Sequence, residues 1–131
     1  MGEPQTRRTV EQLFQALRER NVELFHAQFQ EDSIIEFPQS GERIAGGENR
    51  RAVYRTFPGF PSVTRIIADG DLAVVEARVD YGDATDWRAV FIYELSEGKI
   101  ARATCYWTQP FEPAEGRAEW VERIDNGVAA E

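Results

Sequence analysis

The run Leu72-Ala73-Val74-Val75-Glu76-Ala77-Arg78-Val79-Asp80-Tyr81 decides the fold, because it alternates with a period of two. One set is Ala73, Val75, Ala77, Val79 and Tyr81; the other is Leu72, Val74, Glu76, Arg78 and Asp80. Successive side chains of a strand point to opposite faces, so patterning alone puts the first set in a core and the second in water. Similar runs flank it: Val63 to Ala68, Trp87 to Leu95, and Lys99 to Trp107. The links are Asp69-Gly70-Asp71, Gly82 to Asp86, and Ser96-Glu97-Gly98. Connections this short predict an antiparallel meander.

Upstream the period changes. Thr9-Val10-Glu11-Gln12 has the form of a capping box, predicting a helix that opens at Thr9 with Val10, Leu13, Phe14 and Leu17 as its apolar stripe. Asn21 breaks it, and a shorter helix carries Leu24, Phe25 and Phe29. Ser33 to Phe37 reads as a strand ended by Pro38, Gln39 to Gly47 as a loop, and Glu48 to Phe57 as a third helix. Pro58-Gly59-Phe60-Pro61 stops that helix. Helices followed by strands predict an α+β domain with the helices on one face of the sheet.

Composition narrows the function. The chain has 131 residues, 42% of them hydrophobic, enough for one domain with a real core. Its formal net charge of −8, with basic pairs only at Arg7-Arg8 and Arg50-Arg51, argues against nucleic acid and anionic membranes as partners. No apolar run is long enough to span a bilayer. Residues 1–8 lack a secretion signal, and the match to a myristoylation pattern at Gly2 and Thr6 is taken as chance, with Pro4 inside it. The single cysteine, Cys105, allows no disulfide within the chain, and with the single histidine, His26, it cannot build a structural zinc site. These features predict a cytoplasmic protein with no metal and no cofactor.

The order of elements resembles the nuclear transport factor 2-like superfamily, and within it the SnoaL-like polyketide cyclases and limonene epoxide hydrolases. The likeness is carried by Ala16 to Phe29, Glu31-Asp32-Ser33, Ile44-Ala45-Gly46, Gly98-Lys99-Ile100 and Tyr106-Trp107, with Pro110 to Glu122 as a C-terminal extension. It covers residues 6 to 124 and implies one SnoaL-like domain over 1–131, with 125–131 as a flexible tail. It also implies a cone: a strongly curved, mostly antiparallel sheet, about three N-terminal helices, and an enclosed pocket for a small, apolar, ring-containing ligand. Many relatives pair through the outer sheet face.

For Leu72 to Tyr81 the resemblance reverses the pattern. In epoxide hydrolases of this fold an Arg-x-Asp pair on the matching strand points into the pocket, and Arg78-Val79-Asp80 lines up with it. The expectation adopted is that Glu76, Arg78 and Asp80 face inward, roughly 7 Å apart along the strand. Asp80 would be the base, Arg78 the anchor that keeps it ionised, and Glu76 a supporting acid. Trp87, Phe91, Tyr93, Cys105 and Trp107 would line the pocket, with Tyr54, Ile35 and Phe37 completing the substrate wall. Val75, Val79, Tyr81, Val90, Ile92 and Tyr106 would then form an apolar outer patch for a homodimer, with Ile100, Arg102 and Thr104 also outside. Cys105 is expected as a buried structural thiol, and His26 as a partly exposed helix residue.

Three functions follow. The first is a cofactor-independent acid–base enzyme, a cyclase, isomerase or hydratase. The second is a non-catalytic ligand-binding or accessory module with the same pocket. The third is a plain structural domain whose charged row lies in water. Epoxide hydrolysis is disfavoured, because Cys105, Ile35 and Phe37 stand where that mechanism needs an aspartate, a tyrosine and an asparagine.

Overall fold

The computed structural model describes residues 2–125, so the expected tail lies almost wholly outside the described residues. Helix α1 spans Glu3–Glu19, α2 spans Val22–Ala27 and α3 spans Gly47–Val53. The strands are β1 (Phe29–Phe37), β2 (Glu42–Ala45), β3 (Phe60–Asp69), β4 (Leu72–Asp80), β5 (Trp87–Ser96) and β6 (Lys99–Thr108). A 3-10 turn over Glu115–Trp120 follows and buries nothing. The strands form one open sheet in the order β2-β1-β6-β5-β4-β3. Only β1 and β6 run parallel; every other neighbouring pair is antiparallel. The α+β reading, with N-terminal helices against a mostly antiparallel sheet, is therefore correct.

Helix α1 begins earlier than expected. Pro4 occupies its first turn, where a missing N–H leaves no bond unmade. Thr9 is thus inside the helix and caps nothing. Its hydroxyl instead donates to the Gly98 carbonyl at 2.8 Å, while Thr6 donates to the Gly70 carbonyl at 2.6 Å. Both threonines are fully buried, and each ties α1 to the turn of a hairpin, β5–β6 and β3–β4 respectively. These bonds fix how α1 lies across the sheet. Val10, Leu13, Phe14 and Ala16 then pack into the core with Ala73, Val75, Tyr93, Leu95, Ile100 and Ala103.

Two other boundaries differ. The Gly-rich segment read as a loop contains β2, which pairs Ile34 with Ala45 and Glu36 with Arg43. Helix α3 ends at Val53, so residues 54–59 form a separate bridge to β3. Ile100, expected outside, is fully buried. A register shift between Glu94 and Leu95 sets Leu95 opposite Ile100 and turns both into the core.

The larger correction concerns β4. Ala73 pairs with Tyr93, Val75 with Phe91, Ala77 with Ala89 and Val79 with Trp87. Residues directly opposite on neighbouring strands share a face. The β5 set that faces the helices therefore brings the apolar β4 set with it. Arg78 pairs with Arg88 and Glu76 with Val90, on the outer face. The inward orientation expected for Glu76, Arg78 and Asp80 is overturned. Burying three charges would cost several kcal/mol per ion, while four small apolar residues were available for that face.

Candidate functional site

Between the helices and the inner sheet face lies a cavity of about 220 Å³. Leu13, Phe14 and Leu17 of α1 and Phe25 of α2 form one wall. Ile35, Phe91, Tyr93, Ala103, Cys105 and Trp107 form the sheet side, each on the inward step of its strand. Tyr54, Phe57, Pro58 and Gly59, in the bridge after α3, supply a roof, and Tyr81 stands beside Gly59 at the end of β4. A Cβ at Gly59 would come within 2.7 Å of the Tyr81 ring and 2.8 Å of Val79, so only glycine lets the roof lie this close.

Six of the eight side chains expected to touch a ligand line this cavity: Tyr54, Phe91, Tyr93, Cys105, Trp107 and Ile35. The other two stand behind it. Phe37 packs on the Trp107 ring with centroids 5.2 Å apart, and Trp87 meets Tyr81 edge-on at 5.9 Å while its indole N–H donates to Asp83. Phe14 joins Phe91 and Tyr93 in an aromatic cluster, with centroids 5.6 and 6.3 Å away.

Among the described residues, no carboxylate, lysine, arginine or histidine lines the cavity. Its polar groups are phenols, a thiol and an indole. Burial raises the pKa of Tyr54 and of Tyr93 well above the ordinary phenol value, and that of Tyr81 less far. The nearby Trp107 indole partly opposes that rise. Burial pushes the Cys105 thiol up to about 12. At neutral pH all four groups are uncharged, so they can donate hydrogen bonds but cannot act as a base.

The charged row expected to do chemistry lies on the opposite side of the sheet. Glu76 faces Arg65 at 3.4 Å, Arg78 faces Asp86 at 3.7 Å, and Asp80 accepts the Gly82 N–H at 2.7 Å. The Arg78 side chain is 51% exposed. These residues make surface ion pairs and a turn bond, and none reaches the cavity.

A polar cluster that sequence reading missed sits directly behind the cavity wall. Arg50 of α3 is 1% exposed, the largest fully buried side chain of the described residues. Its Nε donates to His26 Nδ1 at 3.0 Å, and its Nη1 donates to Ser33 Oγ at 2.6 Å and to the Gln30 carbonyl at 3.2 Å. Its guanidinium lies 4.6 Å from the centroid of the Phe29 ring. Because His26 Nδ1 accepts, the ring proton is on Nε2, which donates to the Tyr54 carbonyl at 3.3 Å. Burial, with Arg50 and Arg51 nearby, lowers the His26 pKa. In sequence, Arg50 beside Arg51 reads as an ordinary charged helix face; no pattern separates the buried one from the exposed one. Among the described residues, no group of three or more His, Cys, Asp and Glu gathers as a metal site. No described helix is long and apolar enough to cross a membrane.

Comparison with known proteins agrees with this architecture. A search of curated proteins finds no match to the chain. Among solved structures, a candidate ketosteroid isomerase from Kribbella flavida is 34% identical, with a TM-score of 0.87 over 94% of this chain and 92% of its own. An NTF2-like protein of unknown function from Burkholderia xenovorans is 31% identical, with a TM-score of 0.81 over 95% and 99%. An epoxide hydrolase of M. tuberculosis that resembles limonene epoxide hydrolase shares the fold at 23% identity and a TM-score of 0.66, over 81% and 84%. The SnoaL-like domain profile matches residues 10–103, from the first core valine of α1 to the cavity face of β6. The chain belongs to the SnoaL-like family and has its NTF2-like fold.

Proposed function

We propose that this chain is a small-molecule binding module whose cavity takes a flat, uncharged, one- or two-ring molecule with a hydrogen-bond acceptor such as a carbonyl. One observation carries the reading: the cavity is walled by aromatic and aliphatic side chains, and every polar group on it is a neutral donor at physiological pH. Apolar cavities of about 150 Å³ stay dry and admit a benzene-sized guest, so the volume here suits a somewhat larger one. A guest oxygen near Tyr54, Tyr81 or Trp107 would be hydrogen-bonded where water competes weakly.

The enzyme reading loses its base. A ketosteroid-isomerase reaction couples a carboxylate base to phenolic and carboxylic donors on the developing oxyanion. Here phenols are in place, and among the described residues no carboxylate faces the cavity. Calorimetric titration with 2-acetonaphthone and with naphthalene tests the proposal. The ketone should bind at least about fivefold more tightly, and Tyr54→Phe or Tyr81→Phe should reduce that advantage while naphthalene affinity holds. Equal affinity for the two guests would reject the hydrogen-bonding role. Loss of deuterium from the labelled methyl group of the ketone, catalysed by the protein, would restore the enzyme reading.

The outer face supports a second proposal, a homodimer. Ile67, Leu72, Val90 and Tyr106 are exposed there, although the earlier patch is corrected: Val75, Val79 and Tyr81 face inward. Phe111, Trp120 and Ile124 in the C-terminal extension are each at least three-quarters exposed. Apolar surface on this scale usually marks an interface. Light scattering at micromolar concentration should give twice the chain mass of 14.9 kDa; a monomer would remove the proposal. The acidic charge balance supports a partner that is neither nucleic acid nor membrane, in keeping with a cytoplasmic protein.

A further inference from the structure

The roof of the cavity, residues 54–59, is fastened at both ends to the helical pair by a side chain bonded to a backbone carbonyl. At its far end Arg20 Nη1 donates to the Gly59 carbonyl at 2.7 Å, with the guanidinium 3.4 Å from the centroid of the Phe60 ring. At its near end His26 Nε2 donates to the Tyr54 carbonyl. Between these points Tyr54 and Phe57 pack on Phe25, the neighbour of His26 in α2, with centroids 5.2 and 5.0 Å away. The position of the imidazole thus sets the position of the roof.

Arg50 sets the position of the imidazole. A guanidinium is always a donor, so His26 can meet it only through an unprotonated Nδ1. Ser33, Gln30 and the Phe29 ring hold Arg50 from its other sides, which keeps it in place if the histidine changes. A second proton on His26 would set N–H against N–H and bring two cations about 3 Å apart in a part-buried space.

The charges facing His26 do not relieve that conflict. Arg50 and Arg51 come from α3, Arg55 from the roof, Lys99 from β6, Glu31 from β1 and Glu23 from its own helix. Glu31, the carboxylate whose charge acts on the imidazole, already accepts two bonds from Arg51, at 3.0 and 2.5 Å. His26 borders an open surface groove together with Glu23, Glu31, Arg51, Arg55 and Lys99, so protons reach it directly. We infer that His26 and Arg50 are positioning residues for the cavity roof, and that protonating His26 unfastens the roof and weakens guest binding. This rests on the cavity being a binding site.

The test is calorimetric titration of the full chain with 2-acetonaphthone, a ketone uncharged throughout, at pH 7.5 and pH 5.0. The dissociation constant of the native protein should rise at least about fivefold in acid, the low end of typical site-to-site coupling. His26→Gln, which keeps an acceptor and a donor but takes no proton, should show the same affinity at pH 5.0 as at pH 7.5. A native protein with level affinity, or a glutamine variant with the same acid loss, would overturn the inference. Absence of binding at both pH values would instead strike at the binding reading. The amide NMR shift of Gly59, at the roof's far end from His26, then decides the inference alone. It should move between pH 7.5 and pH 5.0 in the native protein and hold in His26→Gln. A Gly59 shift that behaves alike in both would overturn it.

Discussion

The two faces of the sheet are built by the same alternating strands and end as chemical opposites. On the inner face Val75, Ala77, Phe91 and Tyr93 meet the helices, and the polar groups there are held neutral by burial. On the outer face, charges meet in pairs and triplets: Glu36 between Arg43 and Arg102, Asp86 between Arg78 and Arg88, and Glu76 against Arg65. Adjacent residues of one strand, Val75 and Glu76, therefore live in different dielectrics. What assigns each residue to its face is cross-strand pairing, because a residue must share the fate of the one opposite.

The comparison breaks most sharply by exchanging the two environments at that step. Val75→Asp puts an unpaired charge where the side chain is fully buried, and should cost more than about 4 kcal/mol in urea denaturation, enough to leave little folded protein. Glu76→Gln, one residue away, should change stability by less than about 0.5 kcal/mol, since an exposed pair contributes little. Comparable costs for the two would mean that the faces are not distinguished as described.

Arg50 is the exception that sharpens the rule, a charge on the inner side of the domain held by three hydrogen bonds and an aromatic ring. Arg50→Met removes the donor to His26, Ser33 and the Gln30 carbonyl at once and should cost about 3 kcal/mol, the scale of breaking a buried polar set. A cost below about 1 kcal/mol would mean the set holds nothing together.

A smaller effect follows from His26. Its pKa is lowered in the folded chain, so the unfolded chain binds the proton more readily. Stability from this group is fully present above the unfolded value near 6.5 and is lost as pH falls from there toward the folded value. Denaturation curves at pH 7.5 and pH 5.5 should show that decline in the native protein and a weaker one in His26→Gln. The smallest effect is local. Because burial holds Cys105 as a thiol, iodoacetamide at pH 8 should label it only after unfolding. Rapid labelling of the folded chain would show an open cavity or an ionised thiol.

Much of this fold was legible in the residues. The change from helical to two-residue period placed the helices, and short Gly-containing turns placed the meander. Alternation within β4 had already separated Ala73, Val75, Ala77 and Val79 from Glu76 and Arg78; matching Arg78-Val79-Asp80 to a pair in epoxide hydrolases turned the strand over. The orientation that alternation alone predicts, apolar set inward and charged set in water, is the one observed. The aromatic wall was readable because Phe91, Tyr93, Cys105 and Trp107 fall on one parity of their strands. The roof was hidden, since Pro58 and Gly59 read only as a helix stop, and Arg50 was hidden by an exposed arginine beside it.

The central claim is that ligand recognition belongs to the neutral inner face and owes nothing to the charged outer row. The triple variant Glu76→Gln, Arg78→Gln, Asp80→Asn tests it most directly, by calorimetric titration with 2-acetonaphthone at pH 7.5. The dissociation constant should stay within about twofold of the native protein's, as expected for substitutions that touch no ligand and sit at the surface. A loss of tenfold or more in a variant that remains folded would contradict it and return the acid–guanidinium row to the pocket.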